Sequence, residues 1–365
     1  MIKTFRTRQI CFFYISLLPV VKFFTMPSVL AGICGEDLWI SALFNCLADF
    51  LTISVLYFCL RCENADFFTL IKEKFGTALS KTVIAFYTAF FLLKTVIPLC
   101  EEKDYVELTL YMTSPSVFTF MPVFSAIFFI CLKKSRVIGR IADGVFFIAV
   151  AGYAFTFALS LSDTDLSAIL PVGAHGLKSL SLGAYSSATW FNDGAYFLFF
   201  VGNFVKSKKD GLKILFSVAL SSLLVLFFLV VFYGTFNSIA FRQRFALTEI
   251  SKYTTAINNM ERFDYIPVFA LLFTSVFSLA LPFYFACELS ARLFNIKRFV
   301  AAVFACAPTA IFLIFFDEYF STAENFILNI ASGYFIFFGT VFPVVMAVII
   351  KIRADKEKKY AVCEN

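Results

Sequence analysis

Residues 186–194 read Ser-Ser-Ala-Thr-Trp-Phe-Asn-Asp-Gly, and they interrupt an apolar run, 183–205, that is otherwise long enough to cross a bilayer. Hydrocarbon offers no hydrogen bonds, so a lipid-facing helix does not tolerate such a run. Irregular backbone persists at membrane depth only inside protein or along a cavity. The stretch therefore predicts a span that breaks inside the membrane and lines an internal space. A counterpart lies in the apolar run 10–32, where Pro19-Val20-Val21-Lys22 is followed by Thr25-Met26-Pro27-Ser28. Each break falls in the first apolar run of its half of the chain, a pattern that points to a binding site near the membrane midplane.

The surrounding sequence reads as membrane throughout. Of 365 residues, 60% are hydrophobic and 15% charged, and mean hydropathy is +0.85. A soluble domain carries about a quarter charged residues. Runs long enough to cross about 30 Å of hydrocarbon fall near 10–32, 37–59, 80–100, 117–132, 141–161, 183–205, 212–236, 266–291, 299–316 and 327–350. The expected fold is an all-α integral membrane protein of about ten transmembrane helices. Five runs precede the 163–180 connection and five follow it, so two such halves must be inverted relative to each other. The expected organisation is a cytoplasmic N-terminus (1–9), one membrane domain (10–350) with repeats at about 10–162 and 183–350, and a cytoplasmic tail (351–365). The 53 Phe read as membrane filling, since Phe partitions into lipid as readily as Leu.

Charge orients the chain. Basic residues gather at Lys3, Arg6 and Arg8, at Arg61, Lys72, Lys74 and Lys81, at Lys133, Lys134, Arg136 and Arg140, at Lys206, Lys208, Lys209 and Lys213, at Arg292, Lys297 and Arg298, and from Lys351 to Lys359. Acids gather in the alternate connections, at Glu101, Glu102, Asp104 and Glu107, at Asp163 and Asp165, and at Asp317, Glu318 and Glu324. The positive-inside rule then places both termini in the cytoplasm. The net charge of +6 is spread over these blocks and does not predict nucleic-acid binding. Lys3, Arg6 and Arg8 precede a stretch too long for a signal peptide and without a small-residue cleavage site, so it reads as the first span. Residues 65–76 suit a short interfacial helix, and 238–265 a polar outer segment with a helix over the outer mouth.

A few charges remain inside the apolar runs. Lys22 lies near the middle of the first, where an ammonium costs several kcal/mol unless paired or hydrated. The nearer surface is about ten residues away, roughly 15 Å along a helix, beyond the reach of a lysine stem. Asp193 lies equally deep in the sixth run and is the natural partner if the two breaks adjoin. Asp49 and Lys94 are further intramembrane charges; Lys94 can either snorkel to the surface or join the site. Glu288 reads as interfacial, paired with Arg292 at i+4. Trp190 reads equally as a gate over a ligand or a packing side chain. His175, the one histidine, reads as solvated. The ten Cys fall mostly in apolar runs, and the single Cys59-Leu60-Arg61-Cys62 is weak evidence for redox or metal chemistry. No metal, cofactor or catalytic constellation is expected, and the chain does not read as an enzyme.

These features coincide with a family pattern. Met26-Pro27-Ser28-Val29-Leu30-Ala31 followed by Gly35-Glu36-Asp37-Leu38-Trp39-Ile40-Ser41, then Ile138-Gly139-Arg140-Ile141-Ala142-Asp143, then Asp165-Leu166-Ser167-Ala168-Ile169-Leu170-Pro171-Val172 with Gly176, and the Ser-Ala-Thr-Trp-Phe-Asn-Asp-Gly break all recur in order. Along nearly its whole length the chain resembles the B-subunit permeases of spore germinant receptors, a branch of the amino acid–polyamine–organocation transporters. The resemblance implies a LeuT-like fold of two inverted five-helix repeats with broken spans 1 and 6. It implies nutrient sensing in the spore inner membrane beside two partner subunits, one large and membrane-anchored, one a lipoprotein. Many such permeases carry a Gly-Ser/Thr-small break in the first span; Val20-Val21-Lys22 stands there instead. Lys22 then supplies the positive charge that bare helix ends would otherwise present.

The candidate ligand-binding residues are Val20, Val21, Lys22 and Thr25 in the first break, Ser187, Thr189, Trp190, Asn192 and Asp193 in the second, and Lys94. The expected ligand is a small-molecule germinant, an amino acid. Two functions share this pocket: a germinant-receptor subunit, and an amino acid permease coupled to protons through Lys22 or Asp193. A third function, an ion-conducting pore, needs a hydrated charged lining and is less favoured by the few intramembrane charges.

Overall fold

The computed structural model describes residues 5–63, 65–109, 116–204, 209–253, 265–315 and 319–363. The chain is helical, and the helices follow the apolar runs. α1 (Thr7–Phe12) passes into a π-turn at Phe13–Leu17, a 3₁₀ turn at Val20–Phe23 and then α2 (Met26–Cys34). Pro27 lies in the first turn of α2, where its missing N–H breaks no helical bond. Gly35 ends α2 with φ +53, a conformation that penalises a Cβ. α3 (Leu38–Leu60), α4 (Phe67–Phe75), α5 (Thr77–Thr109), α6 (Ser116–Cys131) and α7 (Arg136–Ser160) follow.

The second half opens with α8 (Gly176–Ser186), which ends in a 3₁₀ turn at Ser187–Thr189 before α9 (Gly194–Phe200) begins. α10 (Asp210–Phe236), α11 (Ala246–Tyr253), α12 (Tyr265–Phe294), α13 (Arg298–Phe315) and α14 (Phe320–Phe326) come next. Two π-turns flank α15 (Ser332–Ile336), and α16 (Phe342–Cys363) closes the chain.

Among the described residues, six helical stretches are long and apolar enough to cross a membrane: Met26–Leu60, Thr77–Val106, Arg136–Asp163, Asp210–Arg242, Ile266–Phe294 and Thr322–Lys356. Two shorter apolar helices cover Met121–Cys131 and Arg298–Phe312. The runs 10–32 and 183–205 do not form continuous helices, because each carries its interruption where the sequence turns polar or proline-bearing.

α5 and α12 pack along each other, and α3 packs on α10 and α16. The aromatic excess fills two places. Phe91, Tyr196 and Phe199 close around Phe285, with ring centroids 5.7, 5.5 and 4.2 Å from it. Others, such as Phe147 and Phe216, stand exposed on the flank of the bundle.

Two connections differ from their sequence reading. α4 forms where a short interfacial helix is expected, started by Asp66, whose carboxylate accepts the Thr69 N–H at 3.3 Å. Its apolar face (Phe67, Phe68, Leu70, Ile71) is buried in the protein and not laid on lipid. The stretch Glu101-Glu102-Lys103-Asp104 reads as an outer connection, yet α5 runs through it to Thr109 and buries Glu101 and Glu102. Of the outer segment expected at 238–265, α11 covers its middle, and residues 254–264 lie outside the described part.

Candidate functional site

The two interruptions meet. Side chains from neighbouring helices take several of the carbonyls at the two openings. In the first break the Tyr153 hydroxyl donates to Ser16 O at 2.7 Å, and the Ser278 hydroxyl donates to Leu17 O. In the second, Asn45 Nδ2 donates to Ala184 O at 2.9 Å, and Lys94 Nζ donates to Thr189 O at 3.2 Å and to Phe191 O. Irregular backbone is therefore satisfied inside the protein, the condition on which it survives at membrane depth.

At the junction Lys22 Nζ donates to Asp193 Oδ2 in a buried ion pair. Lys94 Nζ stands 4.0 Å from the other oxygen of the same carboxylate. Lys22 also lies 4.8 Å over the Phe191 ring and Lys94 5.7 Å over the Tyr196 ring, so both ammonium groups rest on aromatic faces. Asp49, from α3, accepts the Gly194 N–H at 3.1 Å and caps the start of α9. The Tyr14 hydroxyl donates to Asp193 O at 3.4 Å. Lys94 does not snorkel; it is 5% exposed and turned inward.

Two small cavities flank the pair. One, of about 20 Å³, is bordered by Val21, Lys94, Thr189, Trp190 and Asp193. The other, of about 10 Å³, is bordered by Tyr14, Lys22, Asp49, Phe191 and Asp193. About 10–15 Å³ holds one water, so this arrangement is closed.

A second carboxylate ties the breaks together. Glu101 Oε1 accepts both the Thr25 hydroxyl and, at 3.2 Å, the Trp190 indole N–H, while Glu101 Oε2 is buried with no partner among the described residues. The next residue, Glu102, accepts the Ser275 hydroxyl of α12 at 3.0 Å. Glu101 lies seven residues beyond Lys94, on the same face of α5, and Pro98 stands between them.

Of the ten candidate residues, Val21, Lys22, Lys94, Thr189, Trp190 and Asp193 border the central cavities. Thr25 reaches them through Glu101. Val20 is fully buried in the core. Ser187 donates to Gly183 O at 2.8 Å and faces Asn45 of α3. Asn192, at φ +63, turns the other way; its Oδ1 accepts the Thr340 hydroxyl at 3.0 Å.

The comparisons with known proteins agree with this architecture. A family model described as "Spore germination protein" matches residues 4–324. The chain belongs to the spore-germination permease family. No curated protein matches this permease by sequence. Among solved structures, a point mutant of the Eremococcus coleocola manganese transporter superposes with TM-score 0.58 at 12% identity, over 96% of this chain and 84% of that one. The same transporter in complex with an aromatic bis-isothiourea substituted compound also gives 0.58 at 12%, over 95% and 83%. At such identity the likeness is one of fold, and the permease has the LeuT-like fold of membrane transporters.

The structure also explains motifs of the permease that lie outside its centre. Asp37 is fully buried and accepts two loop amides, Gly173 N at 2.7 Å and His175 N at 3.1 Å. His175 packs on Gly35, where an added Cβ would stand 2.5 Å from its Cε1. The Gly-Glu-Asp and Pro-Val-Gly segments thus lock together. His175 is exposed, as a solvated loop residue would be, and its Nδ1 lies 3.6 Å from Glu36 Oε2. Asn237 (φ +50) turns the chain at the end of α10, near this lock. Glu101, Asp49 and Tyr14 are the site residues absent from the candidate set. Asp49 is legible as an intramembrane charge, whereas nothing in the sequence marks Glu101 or Tyr14.

Proposed function

We propose that this permease is the nutrient-sensing membrane subunit of a spore germinant receptor, and that it binds an amino acid between its two interrupted helices. The observation that carries this reading is the buried Lys22–Asp193 pair, which joins the first break to the second in a chain of the spore-germination family. An internal ammonium–carboxylate pair is a template for a zwitterion: the ligand carboxylate takes Lys22, and the ligand ammonium takes Asp193. Removing one partner of a buried pair costs about 3–5 kcal/mol. Only a ligand that supplies both charges displaces the pair without that penalty. Binding then favours a conformation in which the breaks have parted, and partner subunits respond to that shift.

The reading includes the finer architecture expected from the sequence: ten spans in two inverted repeats, at about 10–162 and 183–350, broken at the first and sixth. It also includes cytoplasmic termini, the spore inner membrane, and assembly with a large membrane-anchored subunit and a lipoprotein. The fold neighbours carry manganese in their description. The centre of this chain holds two ammonium groups about one carboxylate, and no three His, Cys, Asp or Glu side chains converge among the described residues.

The test uses spores whose sole receptor for a given amino acid contains this chain. Lys22→Met and Asp193→Asn, each present at normal abundance, should abolish the loss of optical density that follows the amino acid. The deaminated acid and the decarboxylated amine of the same compound should fail to trigger the unsubstituted receptor. Normal germination by both variants would overturn the reading. The fold also supports a second function, an amino acid permease coupled to protons. Accumulation of labelled amino acid in proteoliposomes under a proton gradient would establish it.

A further inference from the structure

A second, chemically distinct pocket lies at the end of the bundle where α4 meets α5. It encloses about 360 Å³, within the range of about 300–1,000 Å³ usual for small-molecule sites. Its polar lining is Thr69, Lys72, Thr77, Ser80, Lys81 and Arg292. Three cations surround one space with the Thr77 hydroxyl beside them, while the Thr69 and Ser80 hydroxyls already donate to Asp66 and, at 3.4 Å, to Phe68 O. Arg292 is held in place by Asp66 and, at 3.2 Å, by Glu288, and so is already compensated. Lys72 and Lys81 reach no carboxylate among the described residues. The pocket therefore carries two uncompensated positive charges next to a fixed guanidinium fork, the arrangement that recognises phosphate oxygens.

We propose that this pocket binds the phosphate group of an anionic membrane phospholipid. The membrane setting decides between lipid and soluble phosphate. The pocket opens at Thr77, where the stretch Thr77–Val106 begins to cross the membrane. Phe68 and Ile84 form its apolar wall, and the same helix presents exposed Leu79 and Phe86 beside it. A headgroup in the pocket thus leaves its acyl chains along an apolar flank of α5, with the electrostatic attraction a basic interfacial site exerts on anionic lipid. The position also has a mechanical consequence. α5 carries Lys94 and Glu101 into the central site, and Arg292 belongs to α12, which borders that site through Ser278 and Pro282. The bound lipid ties together the ends of α5, which donates to the second break through Lys94, and α12, which donates to the first through Ser278.

The test takes the full-length protein purified from mixed phosphatidylglycerol and phosphatidylcholine nanodiscs and counts retained lipid by native mass spectrometry. The unsubstituted protein should retain phosphatidylglycerol selectively. Lys72→Gln/Lys81→Gln should cut that retention at least ten-fold and leave phosphatidylcholine unchanged. Both lysines are exposed, so the variant should fold, and its thermal unfolding in detergent without lipid should match the parent. A control, Lys133→Gln/Lys134→Gln, removes two exposed charges elsewhere and should retain the lipid. Equal loss in the control, or no loss in the pocket variant, overturns the proposal. Complete displacement of phosphatidylglycerol by millimolar inorganic phosphate would overturn the lipid source and leave a soluble-phosphate site.

Discussion

Lys22 and Asp193 are 171 positions apart in the chain and in hydrogen-bond contact in the fold. Both are legible in the sequence because charge is expensive in an apolar run, and each stands where no surface is within reach. Their surroundings predict an asymmetry. Asp193 faces two ammonium groups, whereas Lys22 faces one oxygen of one carboxylate, with Asp49 already engaged by the Gly194 N–H. Lys22→Met leaves Asp193 the Lys94 ammonium as a remaining partner. Asp193→Asn strands two buried cations. In thermal unfolding in detergent, Asp193→Asn should therefore be the more damaging, at the upper end of about 3–5 kcal/mol, and Lys22→Met the milder. The double variant should be more stable than Asp193→Asn alone. Equal losses, or the reverse order, would refute this charge arrangement.

Glu101 shows where residue-level reading stops. Glu-Glu-Lys-Asp after an apolar run has the composition of a connection, and no periodicity marks which of its carboxylates turns inward. Only the continuation of α5 to Thr109 carries Glu101 back over Thr25 and Trp190. Glu101→Ala should orphan the indole N–H and the Thr25 hydroxyl, costing about 1–3 kcal/mol for a buried unsatisfied group. Glu101→Gln keeps an acceptor oxygen and should cost less. Emission from Trp190, read in a Trp39→Phe background, should shift in the alanine variant and stay near its parent in the glutamine variant. Identical spectra in all three proteins would remove Glu101 from the latch.

Among the elements, α5 stands out for touching both ends of the second break while carrying a proline between its two contacts. Pro98 cannot donate to the carbonyl of Lys94, one turn below, so α5 is weakest in bending between the residue that holds the break from one side and the residue that holds it from the other. The breaks themselves were predictable, since proline, small residues and a polar run each remove a reason for helix to continue. The way they are satisfied was not, because Tyr153, Ser278, Asn45 and Lys94 come from four other helices, and one sequence carries no record of which helices adjoin. If opening requires α5 to bend, Pro98→Ala should raise the unfolding temperature and reduce the germination response at a given amino acid concentration. A variant more stable and equally responsive would show that α5 moves as a rigid body.

For the whole molecule, composition and hydropathy are enough to give an all-helical membrane protein, and the alternation of basic and acidic connections gives an orientation. Span boundaries are less legible. A run such as 10–32 satisfies a length criterion while folding as two short helices at a break, and α4 hides its apolar face under the bundle although its sequence suits an interface. Orientation rests on charge and is open to direct measurement. Cys62 is exposed, whereas the other free cysteines described in the fold are buried or half-buried. It lies between α3 and α4, in a connection that the proposed orientation puts in the cytoplasm. With Cys363 of the tail replaced by serine, a membrane-impermeant maleimide should leave intact protoplasts unlabelled and modify Cys62 once the membrane is permeabilised. The same side of the membrane holds Lys72 and Lys81, so the result also fixes which leaflet supplies the proposed phospholipid. Labelling of Cys62 in intact protoplasts would invert the molecule, place the basic pocket at the outer leaflet, and turn the acidic Asp163–Asp165 connection toward the cytoplasm, against the charge rule on which the orientation is built.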